Sequence, residues 1–251
     1  MPTPEARAAA IIDTGERAAA SFARALAQVW KQAERRLIGL VQSASEGRPT
    51  AIIRAAQALQ AREAMRRVLT DAGYDALVLD ATDGPLTSMA ARVLATDVAQ
   101  LAQRYGDTFA QRIDALKALQ AMDLLEEGDR AARALWSAVT RGVFGAQAPR
   151  VIMADLAPVL DRAQHQIETL YDTSVSIFGR QVEALQAGND PDTPFLYAGP
   201  DDPLVRPFCA GIVGQTFTRA QIDTMENGQL NNVFLTGGGY NCRHVWLEVV
   251  R

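Results

Sequence analysis

Cys209, Cys242 and His244, close to the C-terminus, are the residues of this 251-residue chain best suited to chemistry. They include both cysteines and one of the two histidines, the other being His165. Three readings of the cysteine pair stay open. A disulfide would close a loop of more than thirty residues, worth about 3–4 kcal/mol in the chain-entropy view. Thiols made in a cytosol stay reduced, however, until they meet oxidising surroundings. As ligands, the two sulfurs with His244 and Asp201 or Asp202 could hold zinc, although Cys-x-His is not the spacing of a zinc knuckle. As plain buried thiols they would pack like small apolar side chains.

A nucleophilic reading is weaker. His244 stands two residues from Cys242, on the same side of a strand, and His165 lies far away in sequence. No oxyanion element or orienting third group follows in recognisable order. The chain is therefore expected not to be an enzyme, with no catalytic and no cofactor-binding residues. Gly237-Gly238-Gly239 lacks the lysine and the following helix of a phosphate loop. Such glycines let the backbone turn tightly and pass close to another segment, with Asn241 fixing the turn by bonding its own backbone. Asp202 and Arg206, four apart, could pair on one helical face. Alternatively, Arg206 and Arg243 could reach Asp201, Asp202 or chain carbonyls and hold the segment closed.

The pieces of this tail have a specific order: Asp201-Asp202, Arg206-Pro207-Phe208-Cys209, Gly214, Thr218, Asn227-Gly228-Gln229, then Gly238-Gly239-Tyr240-Asn241-Cys242-Arg243-His244. In that order, over roughly residues 195–251, the chain resembles the C-terminal domain of the phage Mu protein F-like head morphogenesis family. These are minor capsid proteins of tailed phages. The resemblance implies a structural virion protein, a minor head protein at the portal or neck that acts by protein–protein assembly. It implies portal protein and other capsid or neck proteins as partners, many copies in a symmetric assembly, and a place in the virion head or neck after synthesis in the host cytoplasm. The alternatives are a head-tail adaptor ring protein and a cysteine- or metal-dependent maturation hydrolase. Family members often end their motif in Cys-Arg-Cys with a histidine upstream. Here the ending is Cys242-Arg243-His244, and Tyr240-Asn241 takes the place of a His-Pro element. One sulfur ligand fewer is left, so no cofactor is expected and zinc stays only as an open option at Cys209, Cys242 and His244. Some relatives carry an enzymatic or toxin domain after this module. With seven residues beyond His244, none is expected here.

The elements that must position these residues are mostly helices. Residues 4–43 are rich in strong helix formers, with Ile11, Ile12, Phe22, Leu26, Val29, Trp30, Leu37, Leu40 and Val41 at three- and four-residue spacing. Ser45–Pro49 reads as a turn, Thr50 as the N-cap of a helix to about Thr70, and Gly73 as its C-terminal stop. Tyr74–Asp80 reads as a strand or a helical turn, broken by Asp83-Gly84-Pro85. Helices follow over Leu86–Arg104, Asp107–Leu125 and Asp129–Val143, with a turn or helix entry at Glu126–Asp129. A long helix over Arg150–Leu185 should restart or kink at Pro158. Gln186–Pro194 packs turn formers and breakers together. The chain is thus expected to be mainly α: an elongated helical bundle of five to seven helices over 1–188, then a small α+β module over 189–251. Within the module a strand should start at Phe195, short helices cover Val205–Val213 and Thr218–Asn227, and a strand close the chain over Val245–Val250.

Bulk composition narrows the functions. The net charge is −4. Residues 189–251 carry four arginines against seven carboxylates, and the remainder 21 cations against 22 carboxylates. Neither part has the basic excess of a strong nucleic-acid binder. No run of about 20 apolar residues could span a bilayer, and the charges Glu5, Arg7, Asp13, Glu16 and Arg17 interrupt any secretory signal. Lysine occurs only at 31 and 117. Arginine thus carries the positive charge, which suits forked pairing with carboxylates across interfaces.

Overall fold

The computed structural model describes residues 3–45, 63–96, 100–145, 147–188 and 190–249. The fold is mainly α: a helical bundle followed by a small α+β module with a three-stranded antiparallel sheet. Two compact units form: Met1–Ser21, Asp80–Ala121 and Thr169–Arg251 make the first, Phe22–Leu79 and Met122–Glu168 the second. The boundary expected at 188/189 falls inside the first unit.

Helix α1 covers Pro4–Ser45. The described part of α2 is 63–71; Thr50 and 46–49 lie outside the described residues. Then come α3 (Tyr74–Val93), α4 (Leu101–Tyr105), α5 (Asp107–Phe144) and α6 (Pro149–Ala187). Three expected interruptions are absent. Helix α3 runs straight through Asp83-Gly84-Pro85. A proline at 85 removes the N–H that would serve the carbonyl of Ala81, and the Tyr171 hydroxyl donates to that carbonyl instead, at 3.0 Å. Helix α5 runs through Glu126–Asp129. Gly128 serves packing there, because a Cβ would overlap the Tyr74 ring. Helix α6 runs through Pro158 as one element. Conversely, the helix expected over Leu86–Arg104 stops at Val93. Ala95 takes a left-handed φ of +48°, while Thr96 N–H bonds Ala91 C=O and Ala95 N–H bonds Arg92 C=O, a Schellman stop.

In the second unit, α1 buries Phe22, Leu26, Val29, Trp30, Ala33, Leu37 and Val41 at helical spacing. Trp30 Nε1 donates to Leu160 C=O at 2.8 Å and the Tyr74 hydroxyl to Leu124 C=O at 2.6 Å. Both large aromatics thus bury their rings and satisfy their polar ends. In the first unit, helices meet at glycines. A Cβ on Gly15 of α1 would sit 3.2 Å from Met89 of α3 and 3.6 Å from Val175 of α6, and one on Gly179 would sit 3.5 Å from the Met89 sulfur.

The C-terminal module continues with β1 (Pro194–Ala198), α7 (Pro207–Ile212), β2 (Thr216–Thr218), α8 (Arg219–Asp223), α9 (Val233–Thr236) and β3 (Val245–Glu248). The strand order is β2-β1-β3, with Phe195 opposite Phe217 and Tyr197 opposite Trp246. Thr218 caps α8 in a reciprocal box with Gln221. β2 and α9 went unforeseen; three and four residues are too short for a periodic signal. The inward face of the sheet builds a core of Phe195, Tyr197, Cys209, Ile222, Val233, Phe234, Cys242 and Trp246.

Candidate functional site

Four local structures deliver the site. Pro207 opens α7, where its missing N–H costs nothing, and the helix places Cys209 inward. Tyr197 comes from the central strand β1. After α9, the glycine turn carries the chain round to Cys242, and His244 stands just before β3. Asn241 takes a φ of +53° in that turn. Its side chain does not bond its own backbone as expected: Thr173 of α6 donates to Asn241 Oδ1 at 3.2 Å and accepts from Asn241 N–H at 3.1 Å.

Cys209, Cys242 and His244 converge, with donor atoms all within 4.8 Å of one another. The two sulfurs lie 3.9 Å apart and are not bonded, since a disulfide needs about 2.05 Å. His244 Nδ1 is 3.9 Å from Cys242 Sγ. Asp201 and Asp202 do not join the cluster. The Tyr197 hydroxyl takes that side, 3.3 Å from Cys209 Sγ and 3.4 Å from Cys242 Sγ. Its ring stacks on His244 at 5.0 Å, with planes only 8° apart. Cys209, Cys242 and His244 are 1%, 4% and 3% exposed. Nε2 of His244 has no hydrogen-bond partner among the described residues.

The glycines explain how the chain fits. A Cβ on Gly238 would overlap the Cys209 sulfur, and one on Gly237 would sit 2.9 Å from Cys242 Sγ and from an Arg180 nitrogen. Gly238 N–H donates to Cys242 Sγ at 3.1 Å. The N–H groups of Gly237 and Gly239 serve the carbonyls of Val233 and Thr236. All three glycine amides are thus engaged within the turn. The Cys242 thiol is pulled towards the thiolate, chiefly by the hydrogen bond from Cys209 and further by Arg180, His244 and Tyr197, against the cost of burial. The bond to Cys242 and burial both push the Cys209 thiol up. Burial likewise pushes the Tyr197 phenol up.

The side chain that locks this arrangement was not singled out in the sequence. Arg180 of α6 is 2% exposed. Its guanidinium donates from Nη1 to Leu235 C=O (3.0 Å), from Nη2 to Cys242 C=O (2.8 Å), and from Nε and Nη2 to His244 C=O (3.1 and 2.9 Å). One turn later, Glu183 is also buried. It accepts from Glu248 N–H of β3 and from Arg7 of α1, both at 3.0 Å. Arg7 also donates to Val93 C=O at 2.6 Å. Burial raises the Glu183 carboxyl above its ordinary value, against the pull of Arg7 and of the Glu248 amide. A signal did exist: Thr173–Gly179 is a run of seven uncharged residues, longer than the polar face of a surface helix allows. Charges that follow such a run on a helix buried all round must have partners.

The remaining motif residues brace the module. Asp202 does not pair with Arg206, because residues 200–206 are not helical. It accepts from Arg243 at 2.6 Å, which holds its carboxyl below the usual range. Arg206 donates to Gly238 C=O at 3.0 Å and to Gln229 Oε1 at 2.9 Å. Asn227 donates to Gly237 C=O at 2.7 Å, and Gly214 turns with φ +78° as its N–H bonds Tyr197 C=O. Outside the cluster, a groove of about 580 Å³ runs between Ala8, Ile12 and their neighbours on α1 and residues 196–200, with Glu5, Asp13, Glu16 and Arg243 as its charged lining. No helix among the described residues is long and apolar enough to cross a membrane. No family model, curated protein or solved structure matches this chain.

Proposed function

We propose that this chain is a structural component of a tailed-phage particle, a minor head protein at the portal or neck that acts by assembly rather than turnover. The observation that carries this reading is that the residues of the F-like signature bond one another. Arg206 holds Gly238, Asn227 holds Gly237, Arg243 holds Asp202, and Cys209 meets Cys242. Such residues staple a rigid module. The sealed position of Cys242 favours a structural thiol over a nucleophile, which needs substrate access. The groove beside α1, lined by apolar side chains together with Glu5, Asp13, Glu16 and Arg243, is where an apolar partner segment would seat.

The test is co-expression of the full chain with the portal protein of the same phage, followed by size-exclusion chromatography with mass determination. A stable complex is expected. A mass with one copy per portal subunit would make the chain an adaptor ring, and a few copies per ring would make it a low-copy minor protein. A monodisperse chain that ignores the portal would overturn direct portal docking.

A further inference from the structure

We infer that Cys209, Cys242 and His244 form a structural zinc site, with the Tyr197 hydroxyl closing its fourth face. The spacing of the donors carries this. Tetrahedral zinc with Zn–S of about 2.3 Å and Zn–N of about 2.0–2.1 Å sets sulfurs about 3.8 Å apart and a sulfur and a nitrogen about 3.6 Å apart. Here the sulfurs are 3.9 Å apart, and His244 Nδ1 is 3.9 Å from Cys242 Sγ. The phenol oxygen lies over the sulfur–sulfur edge at 3.3 and 3.4 Å. Three donors of zinc-preferring type, all buried, thus lie within 4.8 Å of one another, with both pairs that include Cys242 close to the tetrahedral spacing.

The surroundings are those that a metal site needs. Gly238 N–H points at Cys242 Sγ, the kind of outer hydrogen bond that steadies a metal-bound thiolate. Arg180 and the glycine turn fix the backbone on both sides of Cys242. A ligating histidine donates its other ring N–H to a carboxylate, a carbonyl or a water. Nε2 of His244 is buried without a partner among the described residues. His244 also lines a cavity of about 20 Å³ with Glu16 and Asp172, room for one water. With Nδ1 on the metal, Nε2–H has a water-bridged route to those carboxylates. Binding balances simply: Zn²⁺ enters, the thiol protons of Cys209 and Cys242 leave to solvent, and both cysteines become thiolate ligands. The site stands whether or not the chain docks on a portal.

The experiment is metal analysis of the purified full chain by native mass spectrometry and elemental emission, before and after incubation with Zn²⁺. One zinc per chain is expected. Co²⁺ should exchange in and give thiolate-to-cobalt charge-transfer absorption in the near ultraviolet. Cys209→Ser and Cys242→Ser should each weaken metal binding more than 100-fold, beyond the roughly 10- to 100-fold lost with an outer hydrogen-bond partner. If those variants fail to fold, alkylation of the wild-type thiols decides: both should resist until a chelator is added. A folded wild type that takes up no metal after reconstitution would overturn the site. So would a chain two mass units light, with its sulfurs bonded to each other, or zinc bound equally well by both serine variants.

Discussion

Replacing Arg180 with methionine isolates what its forked cation does. Methionine keeps the apolar stem and removes every donor. Three carbonyls lose partners: those of Cys242 and His244 deep inside, and that of Leu235 at a partly wet position. A buried acceptor left unpaired costs about 1–3 kcal/mol, and a partly hydrated one much less. Removing a desolvated guanidinium returns part of this, so the net loss is about 2–4 kcal/mol. At 1.4 kcal/mol per tenfold, opening of the module should become about 30- to 700-fold more frequent. Amide hydrogen exchange of peptides covering Val233–Thr236 and Val245–Glu248 reads this directly, with residues 29–37 and 131–139 as the internal reference. Arg180→Lys should fall between, because one ammonium cannot reach three carbonyls at once. Acceleration below about threefold with the far-ultraviolet spectrum unchanged would refute the reasoning, since the carbonyls would then be satisfied without the fork. Full rescue by lysine would mean that charge matters and the fork does not.

Two further outcomes follow from the same contacts. Gly238→Ala should lower stability by about 1–3 kcal/mol, because its Cβ meets the Cys209 sulfur. Gly211→Ala, on α7 with nothing within 4 Å of a Cβ, should raise it by about 0.5–1 kcal/mol; thermal melts that rank the two in the opposite order would sink the packing argument. Glu183→Gln probes the buried carboxylate. Burial raises the folded-state value of Glu183 above its ordinary 4.5, despite Arg7 and the Glu248 amide. Its contribution is therefore full below that value and lost as pH rises through the folded one. The stability of the wild type relative to the variant should fall as pH rises from about 4.5, measured by urea titration at several pH values. A relative stability that climbs with pH would mean that Arg7 outweighs burial.

Much of the helical fold could be read from residues 4–43, whose apolar positions recur at three and four and whose buried stripe follows that spacing. Local punctuation misled where a distant side chain answered it. Asp83-Gly84-Pro85 looks like a break until the Tyr171 hydroxyl, 90 residues on, takes the carbonyl that Pro85 leaves open. Gly128 looks like a turn until the Tyr74 ring fills the space where its Cβ would be. Ala95 gave no warning of its left-handed turn, because alanine is among the strongest helix formers. At the candidate site, Cys209, Cys242 and His244 stood out by rarity alone. Arg180 and Glu183 did not, since a charged pair on a helix ordinarily faces water.

That difference bears on where the functional unit begins. The composition break at Gln186–Pro194 is real, yet the module beyond it does not satisfy its own backbone. Thr173 takes the amide of Asn241, Arg180 takes the carbonyls of Leu235, Cys242 and His244, and Glu183 takes the amide of Glu248. These three residues stand seven and three apart on α6, one stripe of two to three turns. The irregular turn after α9 has no regular ladder to absorb its polar groups, and buried backbone groups must find partners somewhere. A module of about sixty residues also has too little core to carry several unsatisfied ones. Long side chains on a preformed helix solve both problems, because the helix is ordered by its own apolar face and needs nothing from the turn. The physical unit that holds the cysteine–histidine cluster therefore starts near Thr173, on the helix, and the glycine-rich signature is the half of it that sequence makes conspicuous.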